Sequence, residues 1–309
     1  MSIIERAAEL LRSKAQSQPM RSLAEVGHGE SGRNLIERAS TDLANQSSVS
    51  NSGRAPHGPA AQPEARPLTV KARHLKVDPD RLKAQGMITP DGGRTAIAES
   101  FRRIKRQILA NVDNPKPGMP PANLMMVTSA RQGEGKSFCA INLAISMALE
   151  VDRSVLLIDA DVAKAAVPQA FGLQSEKGLM EVLLDPQIDL AEVMWETDIG
   201  RLALLPVGTS HKQATELLAS EAMRGLLRRV AERYPDRIVL FDSPPLLAAS
   251  EAGALASQVG QIVVVVESGR TSESALKDAL GRVDTARVAG LVLNKVQGPR
   301  LQHGYDTYG

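Results

Sequence analysis

"NLMMVTSARQGEGKSFCAINLA", residues 123–144, decides the fold. Its apolar start reads as a short buried strand over 123–128, and the apolar residues that follow Ser137 recur at helical spacing, so the glycines lie on a strand-to-helix turn. Gly133 and Gly135 open backbone angles closed to other residues. Successive N–H groups of the turn can then point at an anion, beside the positive end of the next helix. The candidate nucleotide-binding run is Gly133, Glu134, Gly135, Lys136, Ser137 and Phe138. In it Lys136 reaches the β- and γ-phosphates and the Ser137 hydroxyl ligates Mg²⁺. A dinucleotide fingerprint fits less well, because its third glycine falls on Phe138. The loop also departs from G-x-x-x-x-G-K-S, with Ala130 at the first glycine position.

Downstream come "SVLLIDAD", "RLALLPVG", "RIVLFDSPP", "QIVVVVES" and "AGLVLNKV", short runs rich in Val, Ile and Leu that are separated by helical patterns. Continuous apolar strands alternating with helices predict an α/β fold: a mostly parallel central sheet with helices on both faces, binding its ligand at the carboxyl ends of the strands. Asp159 and Asp161 end "SVLLIDAD", the second strand of the chain after the one at 123–128, and Asp242 ends "RIVLFD". Any one such aspartate could be a helix cap. Three of them with a Lys-Ser phosphate loop fit Mg²⁺ and a nucleotide better, since hard cations take oxygen ligands and phosphoryl transfer needs charge neutralised. Ser137, Asp159 and Asp242 form the candidate metal set. In "LVLNKVQ" the position at which guanine-binding proteins carry an aspartate is Gln297, which favours ATP. Asn294 either contacts adenine or satisfies the backbone of a loop.

The first hundred residues contain no Phe, Trp or Tyr, and from about Ser13 to Pro90 the chain is rich in Ser, Gly, Pro, Gln, Asn and Ala. Residues 1–90 therefore read as a flexible arm, with short docking helices suggested by the Ile-Glu-Arg-Ala sequence shared by "SIIERAAEL" and "NLIERASTDL". Residues 91–300 read as one domain and 301–309 as a tail. The arm holds 13 basic and 9 acidic residues, and the whole chain carries a net charge of +2, which argues against nucleic acid as the main ligand. No apolar run spans a bilayer and the start is too charged for a signal peptide, so a cytoplasmic location is expected. The five histidines show no metal-ligand spacing, and the lone Cys139 reads as a small core residue.

Together, "SARQGEGKS", "VLLIDAD", "VLFDSPP" and "ESFRRIKRQIL" resemble the bacterial tyrosine kinases, P-loop enzymes related to the MinD-type ATPases. "MSIIERAAELL" and the long polar arm look most like the XrtA-associated tyrosine autokinases found with exopolysaccharide machinery. The resemblance implies an ATP- and Mg²⁺-dependent autokinase in which Lys136, Asp159 and Asp161 are catalytic. Asp161 is assigned to the incoming tyrosine hydroxyl and Asp159 to the metal environment, and these two roles are exchangeable. It implies phosphoacceptors at Tyr305 and Tyr308 in "HGYDTYG", and assembly into a ring through Glu99, Arg102 and Lys105. It also implies a membrane-bound polysaccharide co-polymerase as partner, with a peripheral place at the membrane through it, and a phosphatase that resets the tail. Two features depart from the family pattern: Ala163 stands where the family has arginine, with Lys164 beside it, and the tail has few tyrosines. The alternative is a MinD- or ParA-like positioning ATPase, with Arg131 in the place of the lysine that reaches across its dimer.

Overall fold

The computed structural model describes residues 73–296, apart from Arg94, Ser175, Glu176 and Pro235. The arm up to residue 72, Gln297 and the tail with Tyr305 and Tyr308 lie outside the described residues.

The phosphate-loop strand β2 (Leu124–Ser129) lies inside one eight-stranded sheet of order β1-β4-β5-β3-β6-β2-β7-β8. The other predicted strands are β3 (Ser154–Asp159), β5 (Leu202–Leu205), β6 (Arg237–Asp242), β7 (Gln261–Glu267) and β8 (Val288–Asn294). All neighbouring pairs are parallel except β4 (Trp195–Thr197) on β5, so the mostly parallel sheet expected from the apolar runs is what forms. Side chains alternate across it: Leu124, Met126, Ile158 and Phe241 enter one buried cluster, while Met125, Val127, Leu157 and Leu240 enter another. Two buried faces explain why these strands read as unbroken apolar runs.

Helix α3 (Lys136–Ala148) is buried almost all round. Within it Cys139 is a core residue whose thiol is pushed up to about 12, first by burial and then by the charge of Asp242. Helix α2 (Ala96–Asp113) begins at Thr95, whose side chain accepts from the Ala98 N–H, and buries Phe101, Lys105 and Ile108. Lys105 therefore does not share an open face with Glu99 and Arg102, as their spacing predicts. Its Nζ donates to the Ser146 carbonyl at 2.7 Å and pairs with Glu150, because the carbonyl end of α3 attracts a cation. Glu99 pairs with Arg102 within the helix.

The boundary expected at residue 90 is too late. Residues 73–75 form β1, parallel to β4, and α1 (Pro79–Ala84) follows, its N-terminus capped by the Asp78 carboxylate. This segment is polar because side chain–backbone bonds secure much of it. Arg81 Nη2 donates to the Gln169 carbonyl at 2.7 Å, Val77 N–H to Asp198 Oδ1 at 2.9 Å, and Ile88 N–H to Asn142 Oδ1 at 2.8 Å. Few apolar residues suffice: Val77, Leu82 and Ile88 are all buried. Leu82→Ala is expected to cost about 2–5 kcal/mol, read as a lower urea midpoint with an unchanged slope. An unchanged midpoint would return this stretch to the arm.

Candidate active site

The site is built where parallel strands end together. Asp159 and Asp242 are the last residues of β3 and β6 and are register partners, so their carboxylates emerge side by side. Both are fully buried, and Asp161, two residues beyond β3, is almost so. On the neighbouring strand the chain turns through Gly133 at φ +88° and Gly135 at φ +97°, angles that only glycine adopts at little cost. Gly135 is also the residue before α3 and leaves that helix with no side-chain cap, so its first N–H groups are free to meet an anion. The "DSPP" segment is laced to the same loop: Thr128 Oγ1 donates to the Pro244 carbonyl at 2.8 Å, and Leu246 N–H to the Ser129 carbonyl at 2.8 Å.

Lys136 Nζ lies 2.5 Å from Asp161 Oδ2, 3.3 Å from Ser137 Oγ and 3.9 Å from Asp242 Oδ1. The loop lysine thus turns to the acidic strand ends. The three aspartates differ in how they are used. Asp159 Oδ1 accepts the Asp161 N–H at 3.1 Å and Oδ2 the Val167 N–H at 3.0 Å, so both oxygens hold the loop after β3. Asp161 Oδ1 accepts the Lys164 N–H at 3.1 Å, which leaves Oδ2 to the lysine. Neither oxygen of Asp242 has a hydrogen-bond partner among the described residues.

Burial raises the Asp159 carboxyl above the usual range, with Asp242 adding repulsion and two backbone N–H groups opposing. Burial also raises Asp242; the Lys136 charge and the nearby Ser137 hydroxyl oppose it, the hydroxyl lying close without meeting hydrogen-bond geometry. A buried carboxylate with both oxygens unsatisfied suits a hard cation. Asp242 and Ser137 therefore fit Mg²⁺ better than Asp159, whose oxygens are occupied. Among the described residues no three His, Cys, Asp or Glu side chains make a metal cage by themselves, so Mg²⁺ here would take its remaining ligands from phosphates and water.

Other expected contacts resolve differently. The Phe138 ring packs against the core, edge-on to Phe101 with centroids 6.4 Å apart, so it is the backbone N–H of this residue, in the first turn of α3, that faces the expected nucleotide. Glu134 is buried, its carboxylate accepting the Arg131 N–H at 2.9 Å and the Thr271 hydroxyl at 2.5 Å. Asn294 Nδ2 donates to the Glu134 carbonyl at 3.0 Å, the loop-backbone alternative of the two expected. Thr271, Glu267 and Lys295 join this network unannounced by any motif. Glu99 and Arg102 lie on α2, and nothing in the described residues brings them to the aspartates.

A glycine turn with positive φ, a buried lysine and strand-end carboxylates on a parallel sheet define a P-loop nucleotide-binding protein. A family model described as an AAA domain matches residues 122–291. Over 212 residues the chain is 32% identical to the tyrosine-protein kinase YwqD of Bacillus subtilis (strain 168), a match that takes in 67% of this chain and 85% of that protein. It is also 32% identical over 252 residues to the succinoglycan biosynthesis transport protein ExoP of Rhizobium meliloti (strain 1021), covering 77% of this chain but only 30% of ExoP. Among solved structures, the BceF tyrosine kinase domain superposes with a TM-score of 0.54 at 30% identity, over 72% of this chain and 91% of that domain. The chain belongs to the bacterial tyrosine kinases.

Asp242→Asn removes a buried charge that has no hydrogen-bond partner among the described residues and only the Lys136 ammonium, at 3.9 Å, to compensate it, so it is expected to stabilise the protein without nucleotide by about 1–3 kcal/mol while abolishing stabilisation by Mg-ATP. The sign with pH follows from the raised carboxyls. Between their ordinary and raised values the native state holds more protons than the unfolded chain, so stability is full below about pH 4 and is lost as pH rises through the raised values. The loss should be smaller in the variant. Thermal melts with and without Mg-ATP, from about pH 4 to 8, measure both effects.

Proposed function

We propose that this chain is an ATP-dependent tyrosine autokinase that phosphorylates Tyr305 and Tyr308 between subunits and so regulates polysaccharide synthesis and export. The observation that carries this reading is the Lys136–Asp161 pair beside Asp242, whose oxygens have no hydrogen-bond partner among the described residues. Nucleotide phosphates offer Lys136 a stronger partner than Asp161, and drawing the lysine away leaves Asp161 an open carboxylate where the acceptor arrives. A phenol of pKa about 10 is a poor nucleophile until its proton has somewhere to go. In the transfer step the tyrosine oxygen bonds to the γ-phosphorus, the bond from that phosphorus to the β,γ-bridging oxygen breaks, ADP leaves, and Asp161 takes the phenolic proton. Lys136 neutralises charge on the transferred group. Ser137 and Asp242 would hold Mg²⁺, which would supply further neutralisation of phosphate charge. Asp159 keeps the loop that carries Asp161 in place.

Membership of a kinase family favours this over the positioning-ATPase alternative, which would have Arg131 reach across a dimer. A relative named for succinoglycan biosynthesis transport supports polysaccharide export as the setting. We infer a membrane-bound polysaccharide co-polymerase and a phosphatase as partners, and a ring formed through Glu99 and Arg102 without Lys105. No helix among the described residues is long and apolar enough to cross a membrane. We infer a place on the cytoplasmic side of the membrane, reached through the co-polymerase. Each phosphate adds about −1.5 to −2 charges, which would repel a modified tail from the carboxylate-rich site and loosen the ring.

Asp161→Asn should lower tyrosine phosphorylation by about 10²–10⁴-fold while Mg-ATP binding persists, because an amide accepts no proton. A near-normal single-turnover rate would remove Asp161 from the mechanism. Transfer between subunits is tested by mixing Lys136→Ala protein, tail intact, with active protein carrying Tyr305→Phe and Tyr308→Phe. Label should appear on the inactive chain; mass spectrometry finding none, while the unaltered protein labels itself, would refute it.

A further inference from the structure

Two consecutive residues at the end of β8 reach back to two consecutive carbonyls of the phosphate loop. Asn294 Nδ2 donates to the Glu134 carbonyl at 3.0 Å and Lys295 Nζ to the Gly133 carbonyl at 2.7 Å. Lys295 is the only non-glycine residue with positive φ among the described residues, at +55°. Lysine gains nothing from that conformation, so its surroundings impose it, and strain of this kind gathers where a site needs it. The ammonium is also held 3.2 Å from Glu267 Oε1, at the end of β7. From the other side, Thr271 Oγ1 donates to Glu134 Oε1 at 2.5 Å and accepts the Glu267 N–H at 2.9 Å. Contact is so close that a Cβ on Gly135 would come within 2.0 Å of Asn294 Nδ2.

The consequence comes from the planarity of the peptide bond. In a trans peptide the C=O and N–H point in opposite directions. Anchoring the Gly133 carbonyl towards β8 therefore turns the Glu134 N–H away from it, and anchoring the Glu134 carbonyl does the same for the Gly135 N–H. The Gly135 N–H has no hydrogen-bond partner among the described residues, and the Glu134 N–H closes only the loose turn over residues 132–133, so both can be drawn to a phosphate. A cation on the Gly133 carbonyl also polarises that peptide, which makes its N–H a stronger donor.

We propose that Lys295, with Asn294, Thr271 and Glu267, is a positioning bracket that presets the Glu134 and Gly135 N–H groups for the nucleotide phosphates. None of the four need touch the nucleotide. They act by fixing two peptide planes before it arrives, so that binding does not have to order them. The inference rests on the reading of the loop as a nucleotide site.

The test is calorimetric titration of the full chain with Mg-ADP, with the KM for ATP measured alongside. Hydrogen bonds to charged groups are strong enough that Lys295→Ala should weaken Mg-ADP binding about tenfold or more and raise the KM for ATP similarly, with a smaller change in kcat. Lys295→Arg, which keeps the cation, should recover most of the affinity, and Thr271→Val should weaken it from the opposite side. The melting temperature without nucleotide should stay close to that of the unaltered protein in both Lys295 variants, and fall in Thr271→Val, which strips a donor from the buried Glu134 carboxylate. Affinity within about twofold of normal in Lys295→Ala would overturn the bracket. So would losses in Lys295→Ala that track a lower melting temperature and are not recovered by arginine, since those mark a merely structural contact. If the unaltered chain binds no Mg-ADP, the nucleotide reading itself fails and the bracket falls with it.

Discussion

Acidic charge is confined in a dry place, and most of the local architecture answers to that constraint. Parallel strands that end together bring Asp159 and Asp242 side by side, out of reach of bulk water. Three carboxylates there need compensation, and the free protein supplies it unevenly: two backbone N–H groups for Asp159, the Lys136 ammonium for Asp161, and for Asp242 only a lysine at 3.9 Å. A lone buried ion would cost several kcal/mol, so the lysine cannot leave unless another anion replaces its partner and another cation takes its place. Nucleotide phosphates and a divalent metal are such a pair. The uneven compensation thus divides the labour: Asp159 belongs to the scaffold, Asp161 to an exchangeable pair, and Asp242 to whatever cation comes.

Much of this was legible in the sequence, for a physical reason. Strands covered on both faces must be apolar throughout, so "NLMMV", "VLLID" and "IVLFD" announce themselves, and a charge that closes such a run marks the carboxyl end of its strand. The glycines at 133 and 135 are legible because a turn with positive φ leaves little choice of residue. Contacts that depend on register between distant segments left no such trace. β1 and β4 have three residues each, too few for a period, and the segment around them is held by Arg81 and Asp198 side chains bonding to backbone. Lys105 sits on a helix face that reads as charged, yet the direction in which α2 packs places its ammonium on the end of α3. Nothing local distinguishes an Asn294 that would meet a base from one that meets the Glu134 carbonyl.

Residues 73–90 connect these two kinds of structure. Their bonds reach Asp198, Gln169 and Asn142. Asn142 in turn donates to the Phe138 carbonyl at 2.8 Å, within the first turn of the helix that starts at the phosphate loop. A segment with little core of its own is therefore fastened to the rigid part of the nucleotide site by hydrogen bonds, and its ordering depends on that site being formed.

The strand order also has a bearing on time. The strand that leads into the phosphate loop lies between β6 and β7, both of which come much later in the chain; Thr128 bonds Pro244 across 116 residues. A ribosome will have finished and released the glycine turn well before either neighbouring strand exists to flank it. Until then a run of bare methionine and valine backbone has nothing to pair with. Parallel, non-local pairing of this kind forms slowly and leaves apolar edges open while it waits. The phosphate loop is thus translated early and assembled late, which makes the interval of synthesis the period when this chain most needs protection from aggregation.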